Sequence, residues 1–225
     1  MKYLSIAVDG PSGAGKSTIS RAVARRFGFL YVDTGAIYRA VGLAVTRAGK
    51  RTDVTEEVEP LLPGISVTLA QGVDGQRVLL NGEDVSALIR TPEASQNASK
   101  VSALPAVRAF LLEMQRDLAR KNNCIMDGRD IGTVVLPDAD LKIFLTASPE
   151  DRARRRTLEL ASRGTPQPYE TVLEEICQRD ERDANRPVAP LRQAEDAVRM
   201  DTTGNTLEQS MGQMIDLVRE RLQLK

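Results

Sequence analysis

The sequence predicts an α/β fold in which helices flank a parallel sheet, and three observations predict it. Short apolar runs alternate with stretches of helical periodicity across short connections, the pattern of βα units. The first apolar run opens directly into GPSGAGKS at residues 10–17, which carries almost no side chain before Lys16 and leads at once into a helical pattern. Residues 62–102 break the alternation and read as a small α+β insertion in an otherwise single domain of 225 residues.

Each element has its own signal. Leu4 to Asp9 (LSIAVD) is a short buried strand. Lys16 to Phe27 places Ile19, Val23 and Phe27 on one helical stripe, and Gly28 closes it. Leu30 to Asp33 (LYVD) is a second strand, followed by a helix from Gly35 to Ala48 with Ile37, Val41 and Val45 aligned. ISVTLA and QRVLLNGE, separated by QGVDG, predict an antiparallel hairpin, and Thr91-Pro92-Glu93 a helix start. CIMD at 124–127 and LKIFLT at 141–146 are further strands. Ser148-Pro149-Glu150-Asp151 supplies an N-cap, a first-turn proline and two acids to the next helix. AVRM at 197–200 is a candidate last strand. Thr206 to Leu224 is a closing amphipathic helix, with Thr206 and Gln209 spaced as a capping box.

Composition excludes several classes. The chain is 41% apolar and 28% charged, ordinary for a globular protein. Lys+Arg and Asp+Glu both number 31, and a formal net charge of zero argues against a bulk nucleic-acid binder. Cys124 and Cys177 form no CxxC pair, which predicts free thiols in a reducing compartment and no zinc site. The absence of histidine removes imidazole as base or ligand. The N-terminal run is too short for a signal peptide and no apolar stretch reaches membrane-spanning length, so the expectation is a soluble cytoplasmic protein.

GPSGAGKS fits the P-loop pattern G-x-x-x-x-G-K-[ST]. Gly10, Gly13 and Gly15 allow backbone angles that other residues resist. Successive N–H groups then form an anion nest at a helix N-terminus. Lys16 reaches the β- and γ-phosphates, and the Ser17 hydroxyl is suited to Mg²⁺. Roughly one chain in a hundred of this length matches by chance at ordinary residue frequencies. The strand before and the helix after are the context the motif demands. With no guanine-reading N-K-x-D and too little chain for a motor, a small phosphotransferase remains.

A second anion site has three sources. DTGAIYR places Asp33, Thr34 and Arg39 beyond a strand end, where ligands lie in parallel α/β sheets. DGRDIGT groups Asp127, Arg129 and Asp130 in a turn opened by Gly128. RDERDANR aligns Arg179, Asp183 and Arg186 on one helical stripe, which taken alone is better read as a solvated ion-paired face. The basic arm DRARRRTLELASRG, with Arg152, Arg155, Arg156 and Arg163, suits a mobile lid, a solvated helix face or an RNA patch. Zero net charge and the lack of interleaved aromatics weigh against RNA. Guanidinium forks pair with phosphate oxygens, so this many arginines near one P-loop suit two phosphate-bearing substrates. A phosphate acceptor has a second pKa near ~6 and needs no general base, which makes a histidine-free nucleotide kinase chemically sensible. A kinase for one or another pyrimidine monophosphate or for a small metabolite, and a nucleotide-dependent regulatory binder, for example of RNA, are the alternatives.

In order, GPSGAGKST, DTGAIYR, NGEDVSALIRTPE, NASKVSALPAVR, DGRDIGTVVLPDADLKIFL and RDERDANRPVAPL resemble the bacterial cytidylate (CMP/dCMP) kinases across nearly the whole chain. The resemblance implies a P-loop nucleoside monophosphate kinase fold over residues 1–225, an NMP-binding insertion at 62–102, a helical Arg-rich lid at 151–168 and a monomer. It implies that Gly10, Pro11, Ser12, Gly13, Ala14, Gly15, Lys16, Ser17 and Thr18 hold ATP, with Ser17 on Mg²⁺. It implies acceptor-phosphate contacts from Thr34, Arg39, Arg129 and Arg186, with Asp33 beside them. Ser99, Arg108 and Asp130 match groups around the cytosine, and Arg179 and Asp183 match groups near the ribose. Lys16, Arg129, Arg186 and the lid residue Arg156 match the charge-neutralising set. Some relatives carry serine at the position of Thr34 and glycine at that of Ser17; both differences keep or add a hydroxyl here. The implied partners are ATP and CMP or dCMP, with no nucleic acid and no membrane. Independently, a carboxylate such as Asp130 accepts from the amine of cytosine but meets an acceptor in uracil.

Overall fold

The computed structural model describes residues 2–72 and 75–224. In chain order the elements are β1 (Ser5–Asp9), α1 (Lys16–Phe27), β2 (Leu30–Asp33), α2 (Thr34–Arg47), α3 (Thr55–Val58), a 3₁₀ stretch Glu59–Gly64, β3 (Val67–Gly72), β4 (Gly75–Leu80), β5 (Glu83–Asp84), α4 (Pro92–Val101) and α5 (Pro105–Lys121). Then follow β6 (Cys124–Gly128), a wide π-helical turn Ile131–Val135, β7 (Leu141–Thr146), α6 (Pro149–Ser162), α7 (Tyr169–Asn185), β8 (Val198–Asp201) and α8 (Leu207–Leu222). They divide into two units, Met1–Tyr31 with Ala119–Lys225, and Val32–Leu118.

The first unit is the α/β body. Its sheet runs β2-β6-β1-β7-β8, and β2 enters the unit through Leu30 and Tyr31. β1 pairs parallel with β6 on one side and β7 on the other, and β7 pairs parallel with β8. The register sets Asp9 opposite Gly128 and Phe144. The chain therefore leaves β1 and β6 side by side, at the carboxyl ends of adjacent strands. That is where parallel α/β sheets bind ligands. Ile6 and Val8 of β1, Ile143 and Leu145 of β7, Ile19 and Val23 of α1, and Met214 and Val218 of α8 form one buried core. The aliphatic stripe predicted for α1 is the face that enters it, and burying each such side chain contributes about 1.5–3 kcal/mol. Gly28 closes α1 in a left-handed conformation, φ 68°, as its position predicts. A smaller core of Ala153, Leu160, Val172 and Ile176 ties α6 to α7.

The second unit holds the hairpin: β3 and β4 pair antiparallel in register Val67 to Leu80, with β5 added beyond β4. The expected turn falls on Val73 and Asp74, which lie outside the described residues. α2 packs on α4 and on the hairpin strands β3 and β4. α2 begins at Thr34, one residue earlier than its apolar stripe suggests. The cause is Asp33, whose carboxylate accepts from the Ala36 N–H at 2.8 Å and caps the helix. The capping box predicted at Thr206 and Gln209 is present in both directions.

Gly10 begins the loop at φ 149°, and a Cβ built on it would sit 1.9 Å from the Leu145 carbonyl oxygen, which is backbone and has no room to yield. Gly10→Ala is therefore expected to destabilise the fold by about 3 kcal/mol or more. Urea unfolding followed by circular dichroism checks this; a midpoint unchanged from wild type would show that the loop does not lie against β7.

Candidate active site

The phosphate loop starts from a helix end that no side chain satisfies. α1 has Gly15 at its N-cap, no side-chain cap and no acid in its first turn. By contrast Asp33, Thr91, Ser148 and Thr206 cap α2, α4, α6 and α8. Gly13 and Gly15 take positive φ, 78° and 92°. The open N–H groups of such a terminus attract an anion. Lys16 is buried, and its ammonium donates to the Pro11 carbonyl at 2.7 Å. Burial and then the charge of Arg129 hold its pKa well below the usual lysine range; Arg179 acts in the same sense, against Asp127 and Asp9. Ser17 donates from its hydroxyl to Asp127 at 2.7 Å, and the Tyr31 hydroxyl lies 3.3 Å from both oxygens of that carboxylate.

Two of the expected motifs meet here. Arg129, in the turn after β6, pairs with Asp183 of α7 at 2.7 Å. Arg186, just past α7, pairs with Asp130 of the same turn at 3.1 Å. The two pairs cross-tie the DGRD turn to the stripe Arg179, Asp183 and Arg186, so that stripe is not a solvated face. Burial would raise the Asp183 pKa, but Arg129, with Arg179 and Arg186, outweighs it and holds the carboxyl below its usual value. The segment RPVAPL folds back on the end of α7: Leu191 N–H donates to the Asp183 carbonyl at 2.8 Å, and Arg186 donates to Ala189. Ala189 takes a left-handed φ of 49° there.

The arginines of α6 do not form one exposed basic face. Arg152 is 2% exposed and sits under the phosphate loop, donating to the carbonyls of Ser12 and Ala147 and, through both Nη atoms, to Asp180 of α7. Arg155 donates to the Thr202 carbonyl at 2.6 Å, while Arg156 and Arg163 both pair with Glu159. Arg152 thus ties the loop to the helix pair rather than lining its open side.

In the second unit, Asp33 pairs with Arg39 at 3.0 Å, and the buried Nε of Arg39 has no hydrogen-bond partner among the described residues. Thr34 is buried in the first turn of α2. Arg108, on α5, stands 5.7 Å from the centre of the Tyr38 ring and donates to the Ser102 carbonyl. The carbonyl of Ser99 accepts from the Ser102 hydroxyl. Tyr38 lies within the DTGAIYR motif, and its contribution as a platform for a guanidinium was not legible from spacing.

Asp127, Tyr31 and Asp9 are the residues the motifs undersold. Asp127 is visible as the first acid after a buried strand, but only the fold puts it on Ser17. Asp9 is 5% exposed, and both its oxygens take backbone N–H groups, from Ile131 and Gly132, each at 2.7 Å.

A backbone nest, a hydroxyl–carboxylate pair and a buried lysine under the positive charge of Arg129 and Arg179 suit the handling of phosphate and little else, which makes this a P-loop phosphotransferase. The cytidylate kinase family model matches residues 6–220, and the chain belongs to that family. It is 47% identical to the cytidylate kinase of Carboxydothermus hydrogenoformans over 96% of this chain and 97% of the relative. It is 51% identical to that of an Exiguobacterium species over 90% of each. Among solved structures, an uncharacterized protein from Eubacterium ventriosum superposes with a TM-score of 0.52 over 96% of this chain and 98% of its own, at 10% identity, a likeness of fold alone.

Burial raises the Asp9 pKa from 3.8 to about 6 against the two backbone hydrogen bonds, which lower it. The folded state therefore favours protonated Asp9; that contribution is complete below pH 3.8 and lost as pH rises through about 6. Relative to Asp9→Asn, the wild type should lose about 3 kcal/mol of unfolding free energy across that window. Urea titrations at a series of pH values measure the difference; a constant gap would show that Asp9 titrates normally.

Proposed function

We propose that this enzyme transfers the γ-phosphoryl group of ATP to CMP or dCMP, giving ADP and the nucleoside diphosphate. The observation that carries the reading is the crossed pairing of Arg129 with Asp183 and Arg186 with Asp130, a guanidinium frame from which the charge of Arg129 acts on Lys16. In this reading residues 10–18 take the donor phosphates and Lys16 follows the transferring group. Arg129 and Arg186, with Arg156 from the lid, neutralise charge that grows in transfer. By analogy with other single transition-state donors, loss of one would slow the reaction about a hundredfold.

Mg²⁺ fits the donor set at Ser17 and Asp127. A hydroxyl and one carboxylate are what a P-loop site offers this ion, which fills its other positions with water and phosphate oxygens. The ion would neutralise and orient the phosphate oxygens between which transfer occurs. Among the described residues no cluster of three or more Asp, Glu, Cys or His forms a full metal cage.

The acceptor phosphate is already deprotonated for the most part at neutral pH, so these residues need to orient it rather than remove a proton. We assign Thr34, Arg39, Arg129 and Arg186 to that phosphate, with Asp33 beside them holding Arg39; Arg179 and Asp183 to the ribose; and Ser99, Arg108 and Asp130 to the base. Asp130 accepts from the cytosine amine and repels the O4 of uracil. The lid, residues 151–168, closes over both nucleotides and excludes water, which keeps hydrolysis low. We place the enzyme in the reducing cytoplasm, which suits the free thiols of Cys124 and Cys177, and read it as a monomer.

A coupled ADP-release assay against a panel of nucleoside monophosphates tests this. CMP and dCMP should stimulate release strongly, with UMP well behind and little ATP hydrolysis in the absence of acceptor. Asp130→Ala should lower the CMP-over-UMP ratio of kcat/KM about tenfold or more. Equal stimulation by every nucleotide, or hydrolysis as fast as transfer, would contradict the reading.

A further inference from the structure

Asp9 touches no reacting group in the reading above and reaches Lys16 only through its charge, yet its place is specific. It ends β1, one residue ahead of the phosphate loop, and its oxygens grip the turn that carries the base-reading acid: Ile131 N–H donates to Oδ1 and Gly132 N–H to Oδ2, each at 2.7 Å. The next amides, those of Val134 and Val135, turn back to the Asp130 carbonyl at 2.9 and 3.2 Å. The backbone of Asp130 is thus fixed between the carboxylate of Asp9 and its own π-helical turn. Such charge-assisted hydrogen bonds are roughly twice as strong as neutral ones.

The joint is also closely packed. A Cβ on Gly132 would come within 3.3 Å of Asp9 Oδ2 and 3.1 Å of Lys142 Cδ. Lys142 is itself anchored to Asp196 at 2.8 Å. The phosphate loop, by contrast, is braced elsewhere, by Lys16 on the Pro11 carbonyl and Arg152 on the Ser12 carbonyl. Disturbing Asp9 should therefore move the turn more than the loop.

We propose that Asp9 is a positioning residue for base discrimination: it sets where Arg129 and Asp130 stand beyond the strand ends, and so governs the choice of cytosine over uracil without touching either. The inference rests on the cytidylate kinase reading, and the wild-type enzyme tests that reading first. Should CMP fail to stimulate ADP release by wild type, the reading falls and the inference with it.

With stimulation in hand, Asp9→Asn is the primary variant. It keeps the size but turns an NH₂ toward one of the two backbone N–H donors. The measurements are kcat/KM for CMP and for UMP, and the Kd for ATP by titration calorimetry. The CMP-over-UMP ratio should fall about tenfold or more, with KM for CMP rising, while the ATP Kd changes by a smaller factor, through the Asp9 charge that offsets part of the repulsion at Lys16. Gly132→Ala presses on the same joint from the other side. It should lower the ratio by a smaller factor and add little in the double variant. If Asp9→Asn does not fold, Gly132→Ala carries the test with the same readouts. An unchanged ratio in a folded variant overturns the proposal, and so does an ATP Kd that weakens by the same factor as KM for CMP.

Discussion

The structure depends on cations gathered in advance of the anions that suit them. Lys16 is buried, its ammonium bonded among the described residues to the carbonyl of Pro11, and Arg129 and Arg179 act on it with positive charge. Inside a protein such repulsion is far stronger than in water. Asp127 and Asp9 offset part of it. Phosphate would relieve the rest, and the uncapped N-terminus of α1 supplies the N–H groups to receive it. Gly10 lets this happen at the carboxyl end of the sheet, because only a residue without Cβ fits against the Leu145 carbonyl.

Holding arginines near a buried lysine requires carboxylates, and the chain uses them as a frame. Asp183 and Asp130 each take one guanidinium, so the turn after β6 and the end of α7 fix each other. Asp180 takes a third, that of Arg152, which reaches under the phosphate loop. Removing one partner of such a buried pair leaves a charge uncompensated, which costs about 3–5 kcal/mol. The residues we propose for substrate therefore also hold the fold together. This also explains the zero net charge: the basic groups of the site are matched locally by acids, not left as a basic surface.

Much of this was legible in the sequence because it is written in local patterns. GPSGAGKS names its own backbone geometry, the stripe Ile19, Val23 and Phe27 gives the buried face of α1, and Thr206 with Gln209 spells its cap. What was not legible depends on distant residues meeting. Arg152 looked like one more lid arginine, and its burial follows from contacts with Ser12 and Asp180. Tyr31 is an apolar member of a strand until the fold sets its hydroxyl beside Asp127. Asp9 ends a strand like many acids, and only the register of β1 against β6 shows what it holds. The turn Ile131–Val135 carries no sequence signal, because its wide helical form is imposed by the grip on its first two amides.

The central claim is that the guanidinium frame and Lys16 converge on the phosphoryl group in flight. A crystal structure with ADP, CMP, Mg²⁺ and a planar metal fluoride in place of that group addresses it directly. Lys16 and at least one arginine of the turn and stripe, Arg129, Arg179 or Arg186, should lie within hydrogen-bond distance of the fluoride. A fluoride touched only by Lys16 and water, with Arg129 still locked on Asp183 and the stripe turned away, would contradict it.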